Sequence, residues 1–407
     1  MILSDAVQHE SSITMTFRHI RRLSILLISS LIPWDLSHAD DSYEPTILNG
    51  VSTSLSSIPY QARLSIYKST SSGTVAYLCG ASLIDDSVAI TAAHCVDSDS
   101  SETLTSVTVY YLDYTTPSSP TYTSVSIPAS NVSVHSSWDG TLATSNDIAV
   151  LYDSGASFTN AKKIKIATAA EMTAMFTEFS NSYVANQDND TNVQASGYGK
   201  DENGSSGSLA RVLLAGIPSS TCRSLKASSV SADDYLCVQS PVQSVNYGIC
   251  SGDSGGPLVW RNPSNASDSD YGVRLVGAAS YVTTSGGLCK LNGSYYYGAY
   301  SNINYYKSFV NSAVDTLAST SGYDYESLSI SYAFDSDPIL SANTGTDSTT
   351  PDSDSSSNDS GSGGGGGGSL SLITLMLLTL LALRRHTRYA IAIKMQRLLF
   401  NRTAMYA

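Results

Sequence analysis

Gly248-Ile249-Cys250-Ser251-Gly252-Asp253-Ser254-Gly255-Gly256-Pro257 is the stretch on which the reading of this chain turns. Glycines flank the serine, so the backbone can bend sharply there and aim two N–H groups at one point. A serine used as a nucleophile needs a base, and residues 47–318 contain only two histidines, His94 and His135. A His-based metal site is therefore poorly supplied. His94 stands in Thr91-Ala92-Ala93-His94-Cys95, at the end of the apolar run 88–90, where a disulfide at Cys95 would fix its loop. Between the histidine and the serine lies Asn146-Asp147-Ile148-Ala149-Val150. An acid entering an apolar strand is costly unless its carboxylate has a partner. Taken singly, each piece has a plain structural reading: a packed histidine, an aspartate in a turn before a strand, a Gly/Ser loop.

Around these motifs, residues 47–318 read as short apolar or alternating runs split by Gly, Ser, Asn and Asp, for example 106–111, 147–152 and 273–279. Many short strands with frequent turns predict a β-barrel or sandwich. One helical stretch near 305–317 places Phe309, Val310 and Val314 on one face and would close the domain. The 407 residues allow two or three units at roughly 150 residues each. A net charge of −13 with 14% charged residues argues against a nucleic-acid partner, whose phosphates would be repelled. None of the six cysteines lies in a Cys-x-x-Cys pair, which disfavours a zinc or thioredoxin-type site. In an exported chain they read as three disulfides, and spacing alone leaves about fifteen pairings open.

Together the three motifs, in the order His, Asp, Ser, resemble the trypsin/chymotrypsin family of serine endopeptidases over residues 47 to 318. Ser196-Gly197-Tyr198-Gly199, and Val276-Gly277-Ala278-Ala279-Ser280-Tyr281-Val282 before Cys289, extend the resemblance. It implies an all-β fold of two six-stranded antiparallel barrels, with a boundary near 165–190 and a C-terminal helix. It implies Ser254 as nucleophile, His94 as general base and Asp147 as the carboxylate that orients it. The backbone N–H groups of Gly252 and Ser254 would form the oxyanion hole, and Ser280 would hydrogen-bond near Asp147 and line the substrate strand. The implied disulfides join Cys79 to Cys95, Cys222 to Cys237 and Cys250 to Cys289. No metal or organic cofactor is needed. The competing reading is a catalytically silent, protease-like surface binding protein.

Ile47-Leu48-Asn49-Gly50 resembles the Ile-Val-Gly-Gly start of active family members. That implies cleavage after Thr46, which frees an Ile47 α-amine to pair with Asp253. Family zymogens often carry Arg or Lys where this chain has Thr46, so an activating enzyme favouring small uncharged residues is expected, with this enzyme itself as one candidate. The primary pocket would have Gly248 at its base, Ile249 beside it, and Val282 and Gly298 on its walls. With no acid at the base, burial of a substrate cation would be costly, and small or medium apolar residues are favoured. Tyr297 replaces a proline common in that loop. Asp97, Asp99 and Glu102 read as a solvated acidic loop.

The flanks predict export. Arg18, His19, Arg21 and Arg22 precede the apolar run 23–33 and the small-residue site Ser37-His38-Ala39, a signal peptide over 1–39 with Met15 as an alternative start. A polar pro-segment follows at 40–46. Residues 319–369 are expected to be a linker, with 344–369 almost entirely Gly, Ser, Thr, Asp, Asn and Pro. The apolar segment 370–386 has an uncharged stretch of about 21 Å as a helix, short of the ~30 Å hydrocarbon core. Glycine run, short apolar stretch and Arg384-Arg385 resemble the GlyGly-CTERM sorting signal of Gram-negative bacteria. This implies type II secretion machinery and a rhomboid-like sorting protease as partners, with transient membrane contact and a secreted or cell-surface product. Residues 387–407 have no assignment.

Overall fold

The computed structural model describes residues 47–142, 145–225, 233–282 and 297–343. The signal peptide, Met15, the pro-segment with Thr46, Cys289, the low-complexity stretch from 344, the apolar segment and the C-terminal extension all lie outside the described residues.

The chain enters through a two-residue strand, β1 (Val51–Ser52), and then builds a seven-stranded antiparallel sheet. Its members are β2 (Gln61–Thr70), β3 (Gly73–Leu83), β4 (Val88–Thr91), β5 (Thr103–Asp113), β6 (Thr121–Pro128), β7 (Val132–Val134) and β8 (Ala149–Tyr152). The order is β6-β5-β2-β3-β4-β8-β7. Period-two alternation sends Ala62, Leu64 and Ile66 of β2 inward, where they meet Leu83, Val107, Val109, Ile127, Leu151 and Phe158. A single turn of helix, α1 (Ala93–Val96), follows β4.

The second half is a closed ring. It begins with α2 (Ala169–Ser182) and continues through β9 (Val193–Gly197), β10 (Ala210–Ile217), α3 (Ser219–Leu225), β11 (Tyr235–Gln239), β12 (Pro257–Arg261), β13 (Val273–Val282), β14 (Tyr297–Asn302) and α4 (Lys307–Ala318). Six strands run β10-β11-β14-β13-β12-β9, β9 pairs back with β10, and β1 adds to the outside of β10. Val193, Ala195, Val212, Leu214, Leu236, Leu258, Trp260 and Val276 fill the interior. The architecture is thus all-β and two-barrelled, one barrel closed and the other half-open, with the expected terminal helix in place. Val310, Ala313 and Val314 are the buried face of α4, with Phe309 at its margin. A third apolar cluster, with Ile58, Tyr60, Ile90, Ile148, Tyr198, Val259 and Leu275, joins the two halves.

Helix α2 is an element that the strand-based reading did not contain. Thr168 Oγ1 accepts from Glu171 N at 3.3 Å and Glu171 Oε2 accepts from Thr168 N at 2.9 Å, a capping box. Met172, Met175 and Phe179 then fall on one buried face.

A correction concerns the C-terminal boundary. The body does not end at 318, and residues 319–343 return across both halves. Tyr325 and Phe334 are buried, and Lys162 and Arg261 pair with Asp335 and Asp337 at 2.7 Å each. Pro338 O accepts from Gln194 Nε2 at 2.8 Å and from Arg211 at 2.7 Å. Asn343 then bonds both backbone groups of Leu213, at 2.7 and 2.9 Å, as a partner strand would. The stretch reads as a linker because its anchors are few and embedded in Ser and Asp. Phe334 is 7% exposed and its ring lies 5.6 Å from that of Tyr60. Phe334→Ala is expected to cost about 3 kcal/mol in urea unfolding. A change below about 0.5 kcal/mol, within the range of ordinary surface substitutions, would show that this strap is not packed in solution.

Candidate active site

The loop bearing Ser254 rests directly on the segment bearing His94. Thr91 Oγ1, at the end of β4, donates to Gly80 O at 2.8 Å, and Gly80 N donates to Ser254 O at 2.7 Å. The Cys79–Cys95 disulfide ties β3 to α1 beside this contact. Gly255 has φ +74°, and a Cβ there would lie 2.1 Å from Thr91 Oγ1 and 2.9 Å from Ala92 N. Only glycine fits both the backbone and the space.

His94 begins a hydrogen-bonded row. Its Nδ1 lies 2.8 Å from Asp147 Oδ2, and its backbone N donates to Oδ1 at 2.9 Å. Ser280 Oγ, on β13, donates to Oδ2 at 2.5 Å. Ser301 Oγ, on β14, donates to the Asp147 carbonyl at 2.5 Å. Asp147 has no exposed side-chain surface, whereas the His94 side chain is 20% exposed. An ionised carboxylate only accepts, so Nδ1 carries the proton and the Nε2 lone pair faces outward. The sulfur of Cys95, 3.9 Å from Nε2, is in a disulfide and has no proton to give. Burial pushes the His94 pKa down, but the charge and hydrogen bond of Asp147 outweigh it, and the net shift is upward from 6.5. For Asp147, burial pushes upward, and the attraction of His94 with the bonds from His94 and Ser280 brings the net shift below 3.8.

Asp253 is also wholly buried. Its Oδ1 accepts from Gly199 N at 2.7 Å and its Oδ2 from Cys250 N at 2.8 Å. No cation among the described residues pairs with it, and burial lifts its pKa from 3.8 to about 7 against the pull of those two bonds. Gly197 and Gly199 make the space: a Cβ at either would stand 2.1 or 2.6 Å from the carboxylate. Gly252 has φ +103°. Among the described residues, the N–H groups of Gly252 and Ser254 donate to no protein acceptor. Ile47 is buried in the same core cluster as Ile249, and Leu48 N donates to Gly248 O at 2.9 Å.

Ile249 is 3% exposed and Val282 packs against its cluster. Gly298 pairs with Val238 and Val282 between β11 and β13. Gly248 and these neighbours bring no charged side chain to the pocket position. Tyr297, at the start of β14, lies with its hydroxyl 2.9 Å from Cys237 Sγ. Cys222 and Cys237 form the second disulfide, and Cys250 is also disulfide-bonded.

His135 is placed apart from the row, its ring 5.3 and 4.8 Å from those of Tyr306 and Phe309. The acidic loop is not wholly solvated: Asp97 pairs with Lys68 at 3.1 Å and accepts from Trp138 Nε1 at 2.9 Å. The one group of metal-type donors among the described residues is Cys79, His94 and Cys95, whose sulfurs are consumed in the disulfide. Ser301 is the site residue that the sequence reading missed. Nothing local marks it, since it reaches Asp147 only through the pairing of β13 with β14.

The family model described as Trypsin matches residues 47–310. The chain is 27% identical over 252 residues to a fibrinolytic enzyme, isozyme C, of Lumbricus rubellus, covering 60% of this chain and 90% of that one. It is 29% identical over 242 residues to a venom serine protease of Polistes dominula, covering 58% and 76%. Against the solved structure of HL collagenase the TM-score is 0.45 at 23% identity, over 65% of this chain and 97% of the other. The family match spans the whole region that holds His94, Asp147 and Ser254, and the chain belongs to the trypsin family of serine proteases.

Proposed function

We propose that the chain is a secreted serine endopeptidase that works through an acyl-enzyme and cleaves after small or medium apolar residues. One observation carries this reading: Ser280, Asp147 and His94 form a hydrogen-bonded row, and the glycine-flanked loop of Ser254, with two unspent amides, rests on the strand end that leads into His94. In this mechanism Ser254 Oγ attacks the peptide carbonyl carbon while its proton passes to His94 Nε2. The oxygen that gains charge is met by the N–H groups of Gly252 and Ser254, each worth about 10²–10³ in rate. Collapse expels the amine, which takes the proton from His94, and water then repeats the sequence to release the acid. Asp147 keeps the imidazole in its tautomer and stabilises the cation formed in passing.

Cleavage of the Thr46-Ile47 bond would supply what Asp253 lacks. A new Ile47 α-amine would bring a cation to a buried carboxylate, where an unmatched charge costs about 3–5 kcal/mol. Export rests on the signal peptide and the disulfides. The tail is read as a sorting signal that leaves the enzyme released or held at the surface of a Gram-negative bacterium.

Three outcomes follow. His94 must be neutral to act as base, so kcat/KM climbs as pH rises through its raised pKa, above about 6.5. Asp147→Asn should lower that midpoint and cut kcat by about 10⁴, and a midpoint left in place would contradict the assignment. In the uncut Ser254→Ala precursor, Asp253 has a higher pKa folded than unfolded. Its contribution to stability is then complete below 3.8 and disappears as pH climbs to about 7. Urea midpoints should show this decline, and a Ser254→Ala chain beginning at Ile47 should not. Finally, enzyme beginning at Ile47 should cleave peptides ending in Ala, Val or Leu in preference to Phe, Arg or Lys, with all cleavage absent in Ser254→Ala. Dominant Arg or Lys cleavage would overturn the pocket reading, and failure of an acylating inhibitor to label Ser254 would favour a silent binding protein.

A further inference from the structure

The segment that opens the folded body is gripped at Asn49. Its φ is 50°, a left-handed conformation that asparagine tolerates better than most residues. Asn49 N donates to Glu202 Oε2 at 3.0 Å, and Asn49 Nδ2 donates to Asn246 O at 3.0 Å. One residue earlier, Leu48 and Gly248 exchange backbone bonds at 2.9 and 3.3 Å. Among the described residues, Glu202 is the one side-chain acceptor that the backbone of 47–50 uses.

Glu202 sits in a turn held by hydrogen bonds of its own. Asp201 Oδ1 accepts from Asn203 N at 2.8 Å and Ser205 N at 2.7 Å, and Asp201 N donates to Ser205 O at 2.9 Å. The other end of the same turn holds the loop of the nucleophile. Gly199 N donates to Asp253 Oδ1 at 2.7 Å, and Lys200 N donates to Ser251 O at 2.9 Å. Only two residues, Lys200 and Asp201, therefore separate a contact to the N-terminal arm from a contact to the carboxylate beside Ser254.

We propose that Glu202 is a positioning residue: by accepting the Asn49 N–H it seats the Ile47 arm, and through its turn it couples that seating to the loop carrying Asp253 and the oxyanion amides. The idea rests on the reading that an Ile47 α-amine activates the enzyme. The arm's other backbone bonds go to Gly248 and Ile47 main chain and are blind to side-chain identity, so Glu202 is where substitution reaches the coupling.

Seated and loose arms are in equilibrium, and loss of the α-amine proton favours the loose one. When seating is strong, the midpoint of alkaline inactivation tracks the logarithm of the seating constant. A hydrogen bond to a charged acceptor is worth about tenfold or more in an equilibrium constant. Its loss should therefore move the midpoint down by about one pH unit. The charged or titratable groups on the segments around the arm are Asp253, Lys200, Asp201 and Glu202, with Arg211 on β10 and Tyr247 before Gly248. Asp253, lifted to about 7, is the group that the arm's amine would meet, and Lys200, Asp201, Arg211 and Tyr247 are shared by every variant compared.

The experiment compares kcat/KM from pH 7 to 11 for enzyme beginning at Ile47, its Glu202→Ala form and its Glu202→Gln form, with thermal melts at each pH to confirm folding. Glu202→Ala should lose activity about one pH unit earlier, and Glu202→Gln, whose amide oxygen still accepts, should recover most of that shift. An unmoved midpoint in folded Glu202→Ala would overturn the role, as would a Glu202→Gln form shifted equally far. If the unsubstituted enzyme shows no alkaline loss at all, the activation reading itself fails. If it shows the loss and Glu202→Ala matches it, only the role of Glu202 fails.

Discussion

Asp147 is a carboxylate with no contact to water, and the geometry around it follows from that constraint. Charge in a low-dielectric interior is tolerable only when donors surround it. Two come from His94, on the first half of the chain, and one from Ser280, on the second. Ser301, also from the second half, takes the Asp147 carbonyl. The halves therefore cannot slide against each other without stranding a buried charge. The same bonds set the imidazole tautomer, so the joint between barrels and the orientation of the base are one structural fact.

Asp253, in the second half of the chain, presents the opposite electrostatic situation. It has two backbone donors and, among the described residues, no counter-charge, and its pKa is raised where that of Asp147 is lowered. The pairing of these two states matters more than either value. A saturated carboxylate fixes the His94 ring, whereas under the proposed function the undersatisfied one would leave the loop of Ser254 to be completed by a cation. The glycines at 197 and 199 belong to this arrangement, because a β-carbon at either would collide with the Asp253 side chain.

What could be read from the sequence follows the range of the forces involved. Ser254, His94 and Asp147 were marked in the sequence by the resemblance of three separated motifs to one family, since each alone had a plain structural reading, and the structure bonds His94 to Asp147. Ser280 was legible within the run 276–282. Ser301 was not, since its hydrogen bond to the Asp147 carbonyl spans 154 residues and has no local signal. Helix α2 had a readable capping box at Thr168 and Glu171, but the dense strand signals on either side obscured it. The strap at 319–343 was taken for linker because two aromatic anchors, Tyr325 and Phe334, carry its apolar packing while polar residues carry the rest.

The crowding around Asp253 also bears on what kind of cation can satisfy it. A β-carbon at Gly197 or Gly199 would lie 2.1 or 2.6 Å from the Asp253 carboxylate, so that side is closed to the four-carbon stem of a lysine or the plane of a guanidinium. A main-chain nitrogen is slim enough, and Ile47 already lies in the adjoining core cluster with its neighbour Leu48 paired to Gly248. A chain terminus therefore suits the vacancy better than any side chain, since it delivers charge on the backbone itself. On the proposed reading, a counter-ion placed there would make the working geometry conditional on a covalent cut, which no rotamer change or ion in solution could imitate.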